Sequence, residues 1–125
     1  MAIHEAGENY LEQLLLLSLK KEKVRAIDLA VALGFARPTV SVMLRDLREQ
    51  GFIDRLDDDT LLLTEKGRTV AERIYERHCV LTDMLAALGV PREIAAADAC
   101  KIEHDISDEA FEAVKRHLRE RSPSQ

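Results

Sequence analysis

The sequence predicts a mainly α fold, an N-terminal winged helix-turn-helix followed by a helical second half, and three observations predict it. Two short helical patterns meet through "GFA", the second opening on Pro38 and stopping at Gly51. Directly after Gly51 the apolar period changes from helical to alternating around the turn-forming cluster "DDD". From Thr64 onward the pattern is helical again.

The elements follow in order. "NYLEQLLLLSL" is apolar on nearly all sides, as a helix wedged between two layers would be, and it predicts helix 1 at about residues 4 to 20. The basic turn "KKEKV" leads into "RAIDLAVALG", a helix ended by Gly34. "FARPTVSVMLRDLREQG" carries proline in the first turn, and Val40, Met43, Leu44 and Leu47 recur at helical spacing to face a core. Arg37, Thr39, Ser41, Val42, Arg45 and Arg48 are left on the outer side. "FIDRL" and "TLLLT" read as the strands of a hairpin, and a hairpin after a helix-turn-helix is a wing. Thr64 caps a long helix expected to reach about Leu88. "VPREIAAADACKIEHDI" is the next helix; "SDEAFEAVKRHLRERS" is the last, with Ser107 as its cap and Ile106, Phe111, Val114 and Leu118 on one stripe. The expected division is a DNA-binding unit at 1–70, a helical unit at 71–121 and a disordered tail at 122–125.

Composition narrows the class. The 125 residues, 46% hydrophobic and 33% charged, suit one compact unit or two small subdomains sharing a long helix. "MAIHEAGENY" has no basic stretch leading into an apolar segment, and the run "LLLL" at 14 to 17 is far too short to cross a bilayer, so a cytoplasmic protein is expected. Cys79 and Cys100 lack CxxC spacing and are expected to be reduced thiols. The net charge is −5, yet Lys20 to Gly51 holds seven basic residues against four acidic ones, a local balance that permits a DNA-binding face.

"ACKIEHD" places Cys100, Glu103 and His104 at i, i+3 and i+4 of a helix, where the side chains are surface neighbours able to converge on one point. The ordinary reading of this triplet is a core thiol beside two solvated side chains, and of His78 alone a surface histidine. "ENYLE" adds Asn9 and Glu12 on one face of helix 1. Carboxylate, imidazole and thiolate together suit a first-row ion such as Fe(II), Mn(II), Co(II) or Zn(II), whereas calcium and magnesium prefer all-oxygen shells.

"NYLE", "RPTVSVMLRDLREQGFI", "LTEKGR", "ERH" and "ACKIEHDIS", in this order and spacing, give a resemblance over roughly residues 7 to 118 to the diphtheria toxin repressor and manganese transport regulator family. The resemblance implies a homodimeric winged-helix repressor of metal-homeostasis genes that binds double-stranded operator DNA when a divalent metal, Fe(II) or Mn(II), sits between helix 1 and the helical dimerisation domain. It implies Asn9, Glu12, His78, Cys100, Glu103 and His104 as metal ligands. Cys100 matches the iron branch, where the manganese branch has a carboxylate; Glu12 agrees better with the manganese branch. Asn9 departs from both, standing where one has methionine and the other aspartate. The positions that would join His78 in the iron branch's ancillary site are Thr82 and Ala96, both poor ligands. The family's optional SH3-like domain is not expected after "AFEAVKRHL".

For DNA, the resemblance puts Pro38, Thr39, Ser41 and Val42 at the groove-facing start of the recognition helix, with Arg37, Arg45 and Arg48 beside them. Charged helix positions are most often a solvated face; the wing and the helix-turn-helix spacing favour DNA contact. Val42 has only apolar contact to offer, to a thymine methyl. "LDDDT" puts three carboxylates at the wing tip, so either the tip points away from phosphate or binding is weakened. Leu81, Leu85, Leu88, Ile94, Ile106 and Phe111 exceed what so short a domain buries within itself, which predicts a two-fold dimer. Two rival readings stay open: a winged-helix regulator that is metal-independent or senses another ligand, and a small metal- or cysteine-dependent hydrolase. The second lacks a nucleophile elbow, a glycine-rich phosphate loop and "HExxH" spacing, so no enzyme is expected.

Overall fold

A computed structural model describes residues 5–120 and resolves the chain into six helices and one hairpin among them: α1 (Glu5–Ser18), α2 (Ala26–Leu33), α3 (Arg37–Glu49), β1 (Ile53–Arg55), β2 (Leu61–Leu63), α4 (Glu65–Ala87), α5 (Arg92–Ile102) and α6 (Asp108–Glu120). The tail expected at 122–125 lies outside the described residues. Two compact units divide the chain at Met1–Glu72 and Arg73–Gln125. Among the described residues no single helix is long and apolar enough to cross a membrane.

In the first unit, α2 stops because Gly34 adopts φ 72°, a left-handed conformation in which its N–H caps the Ala30 carbonyl. α3 begins with Pro38 in its first turn and buries Val40, Leu44 and Leu47. These meet Leu11, Leu14, Leu29, Phe52 and Ile53 in one apolar cluster. The wing is antiparallel, with Ile53 opposite Leu63 and Arg55 opposite Leu61. The Leu61 N–H also donates to the Val24 carbonyl at 2.8 Å, joining the hairpin to the segment ahead of α2. Thr64 caps α4, its hydroxyl accepting from the Gly67 N–H at 3.0 Å and donating to the Gly51 carbonyl at 2.7 Å.

In the second unit Ile74, Leu81, Ala95, Ala99 and Phe111 are buried. Ser107 caps α6 through the Ala110 N–H at 3.0 Å. Two expectations change here. Leu81 and Phe111 are 1% and 3% exposed within a single chain, so they are core residues; Leu88 and Ile94 stay exposed at 73% and 53%, and Leu85 and Ile106 are half-buried. The α5 helix ends at Ile102, earlier than "ACKIEHDI" suggests, and Glu103 to Asp105 form a turn. The single helical stripe for Cys100, Glu103 and His104 therefore does not hold through His104.

Candidate metal centre and nucleic-acid interface

α4 and the end of α5 bring three donors together. Ligand atoms of His78, Cys100 and Glu103 lie within 4.8 Å of one another. His78 Nδ1 is 2.9 Å from Glu103 Oε1 and 3.7 Å from Cys100 Sγ. Glu103 still has helical backbone angles as the residue just past α5, which keeps its side chain on the same face as Cys100 one turn earlier. The Glu103 carboxylate is fully buried and its second oxygen is 3.5 Å from His104 Nε2, whose side chain is 2% exposed. The structure thus gathers His78, Cys100 and Glu103, with His104 against the far side of the same carboxylate. Asn9 and Glu12 lie three residues apart on α1 in the first unit, Asn9 half-buried and Glu12 buried. Thr82 is buried with its hydroxyl donating to the His78 carbonyl at 2.7 Å, which holds the ligand-bearing turn of α4.

An imidazole nitrogen, a thiol sulfur and a carboxylate oxygen gathered within 4.8 Å of one another are donors of the classes that first-row ions prefer, and His78, Cys100 and Glu103 would hold such an ion. A hydrogen bond between His78 Nδ1 and a carboxylate oxygen requires a proton on one of them, and that proton occupies the direction a metal would take.

On the first unit, Arg37, Pro38, Thr39, Ser41, Val42, Arg45 and Arg48 are all exposed along α3, and Val42 is 57% exposed. A cleft of about 260 Å³ lies between α3 and the wing, lined by Ser41, Arg45, Arg48 and Arg55 around a floor of Leu44, Ile53 and Leu61. Arg55 is absent from the sequence-derived set because nothing in "FIDRL" marks it; only the hairpin register turns it toward the α3 arginines. The acidic tip has its own cations. The Asp58 carboxylate accepts from the Thr60 N–H at 3.0 Å and lies 3.2 Å from Lys23 Nζ, while the Asp58 carbonyl accepts from Arg25 Nε at 3.0 Å. Hydrogen bonding from Thr60, then from the Lys23 ammonium, lowers its pKa to about 2. Asp59, at φ 69°, lies 3.9 Å from Arg55. Two of the three carboxylates are thus engaged by the chain itself, and Asp58 is fastened to the segment before α2.

Residues 3–61 match the model of the iron dependent repressor N-terminal DNA binding domain, and residues 64–123 match that of the iron dependent repressor metal binding and dimerisation domain. The transcriptional regulator MntR of Salmonella typhimurium is 36% identical over 109 residues, covering 87% of this chain and 69% of its own length. Among solved structures, that of the manganese regulator SloR superposes with a TM-score of 0.79 at 25% identity over 95% of this chain and 55% of the other. A manganese-dependent transcriptional repressor in complex with manganese gives 0.82 at 27% identity, over 90% and 52%. The chain spans about half the length of these two structural relatives.

Proposed function

We propose that this chain, which belongs to the iron-dependent repressor family, is a metal-dependent DNA-binding transcriptional repressor of metal-homeostasis genes, acting as a homodimer on double-stranded operator DNA. The observation that carries the metal half is the His78, Cys100 and Glu103 cluster, three deprotonatable donors of the classes that first-row ions prefer, within 4.8 Å of one another. A bound Fe(II) or Mn(II) would supply the positive charge that holds these three donors together. Asn9, Glu12 and His104 complete the ligand set that the family resemblance implies. The thiolate of Cys100 biases the shell toward softer ions, the carboxylates of Glu12 and Glu103 toward manganese.

The DNA half rests on α3 and the cleft beside it. Pro38, Thr39, Ser41 and Val42 enter the major groove, Val42 reading a thymine methyl by apolar contact; Arg37, Arg45, Arg48 and Arg55 take phosphates, which position the protein without reading sequence. His78, Cys100 and Glu103 hold the ion more tightly in the DNA-competent arrangement of the dimer, and this differential affinity converts metal level into operator occupancy. The chain performs no chemistry in this account, in keeping with relatives that are transcriptional regulators.

The test is a titration of Mn(II), and separately of Co(II), into the protein with duplexes selected by the metal-loaded form. DNA binding should appear with metal, vanish with chelator, and be lost in Glu103→Ala and Glu12→Ala. Metal-independent binding of equal strength would return the chain to the class of regulators that sense something else.

A further inference from the structure

One buried charge near the metal donors has no part in the ligand set. Arg77 precedes His78 on α4, and its side chain is 5% exposed. Its Nη1 donates to the Glu103 carbonyl at 3.2 Å and to the Ile106 carbonyl at 2.6 Å, and its Nη2 donates to the Asp108 carboxylate. The guanidinium lies 5.3 Å from the Phe111 ring centre, and Arg73 reaches the same Asp108 carboxylate at 3.8 Å. One planar group thereby ties together the turn that carries Glu103 and His104, the first residue of α6 and the buried anchor of α6. Arg77 Nε has no hydrogen-bond partner among the described residues. Burying a guanidinium with one donor unmet costs free energy. What a charged fork supplies that an apolar residue lacks is a fixed separation between α4 and two specific carbonyls.

We infer that Arg77 is a positioning residue for the metal centre: from one residue before the ligand His78, it clamps the Glu103–Ile106 turn so that the Glu103 carboxylate meets His78 and Cys100 at ligating distance. The inference rests on the metal site proposed above. With the clamp released, the turn past α5 keeps the Glu103 N–H bond to the Ala99 carbonyl and the Asp105 and Ile106 N–H bonds to the Ile102 carbonyl, but loses the hydrogen bonds from Arg77 that tie it to α4. Glu103 then samples positions outside the shell and metal affinity falls, by the 10- to 100-fold typical of residues that orient ligands.

The experiment compares the full chain with Arg77→Lys and Asp108→Asn. Lysine keeps the charge but not the fork; Asp108→Asn leaves Arg77 in place and removes only the negative charge of a partner that is 79% exposed, which makes it the milder variant. Three quantities are read on each: the Mn(II) dissociation constant by calorimetry, amide exchange at Asp105 and Ile106 in the metal-free protein, and the melting temperature without metal. Arg77→Lys should weaken Mn(II) by about 10- to 100-fold and speed exchange at those two amides. Asp108→Asn should move both in the same direction by less. A drop in melting temperature with unchanged dissociation constant and exchange would make Arg77 merely structural and overturn the inference. Should Arg77→Lys fail to fold, parent-like affinity and exchange in Asp108→Asn overturn it equally. A parent that takes up no Mn(II) defeats the metal-site reading itself, whereas a parent that binds while both variants match it defeats only the role of Arg77.

Discussion

Removing the arginines of the α3–wing cleft gives a prediction whose size can be worked out in advance. Arg45, Arg48 and Arg55 line one cleft on each chain. In a dimer every substitution removes two phosphate contacts, and each contact contributes about 0.9 to the slope of log affinity against log salt on duplex DNA. Arg45→Ala, Arg48→Ala or Arg55→Ala should each flatten that slope by about 1.8, and the triple variant by about 5.4. Between 50 and 200 mM salt the parent should lose about a thousandfold more affinity than the triple variant does. Fluorescence anisotropy of a labelled duplex, at saturating Mn(II) and several salt concentrations, measures the slopes directly. Metal affinity should stay at the parent value in all four variants. If Arg55→Ala retains the parent slope while Arg45→Ala and Arg48→Ala lose theirs, the cleft is not a phosphate seat; if all three retain it, the arginines are a solvated face.

Other outcomes follow from single contacts. A Cβ on Gly67 would stand 1.9 Å from the Phe52 carbonyl oxygen, so Gly67→Ala must displace α4 from the wing; the cost should be about 1–3 kcal/mol or more, seen as a lowered melting temperature. Because the pKa of Asp58 is lowered to about 2 in the folded chain, its ion pairs and hydrogen bonds stabilise the fold above the unfolded value, near 4, and are lost as pH falls toward 2. Asp58→Asn should therefore lower the melting temperature at neutral pH, and the difference from the parent should vanish as pH falls toward 2. Leu88→Glu or Ile94→Glu should halve the sedimenting mass, whereas Leu81→Ala should lower stability by about 2–5 kcal/mol as a core truncation does.

The parts of the fold legible in the sequence are those that local chemistry decides. Gly34 and Gly51 end their helices at positive φ, Thr64 and Ser107 cap the helices that follow them, and the alternating stretches around "DDD" form the wing. The α3 face was legible too, since Val40, Leu44 and Leu47 are buried and the arginines between them are exposed. What periodicity could not reveal was decided by packing between elements. Helical spacing continues through His104, but the carbonyls of Glu103 and Ile106 are drawn to Arg77, and the helix stops at Ile102. Leu81 and Phe111 have the same composition signal as Leu88 and Ile94, and only the tertiary arrangement separates core from surface. Arg55 carried no motif, and Arg77 stood within "ERH" only as the neighbour of His78, because the role of each depends on elements that the fold brings beside it. The acidic wing tip, unfavourable as a string of charges, is largely answered by Lys23, Arg25 and Arg55.

The account turns on whether Cys100 and its neighbours hold an ion, and Co(II) absorption under reducing conditions asks this most directly. Cobalt bound through a thiolate gives an intense sulfur-to-metal charge-transfer band, and thiolate ligation releases a proton that a weakly buffered titration detects. The parent should develop the band to saturation at a fixed stoichiometry, with proton release. Cys100→Ser should lose the band and weaken Co(II) more than Mn(II), and Cys100→Glu should shift preference toward Mn(II) without restoring the band. Identical spectra for the parent and Cys100→Ser, or no saturable cobalt spectrum in the parent, would contradict the assignment of His78, Cys100 and Glu103 as the metal centre.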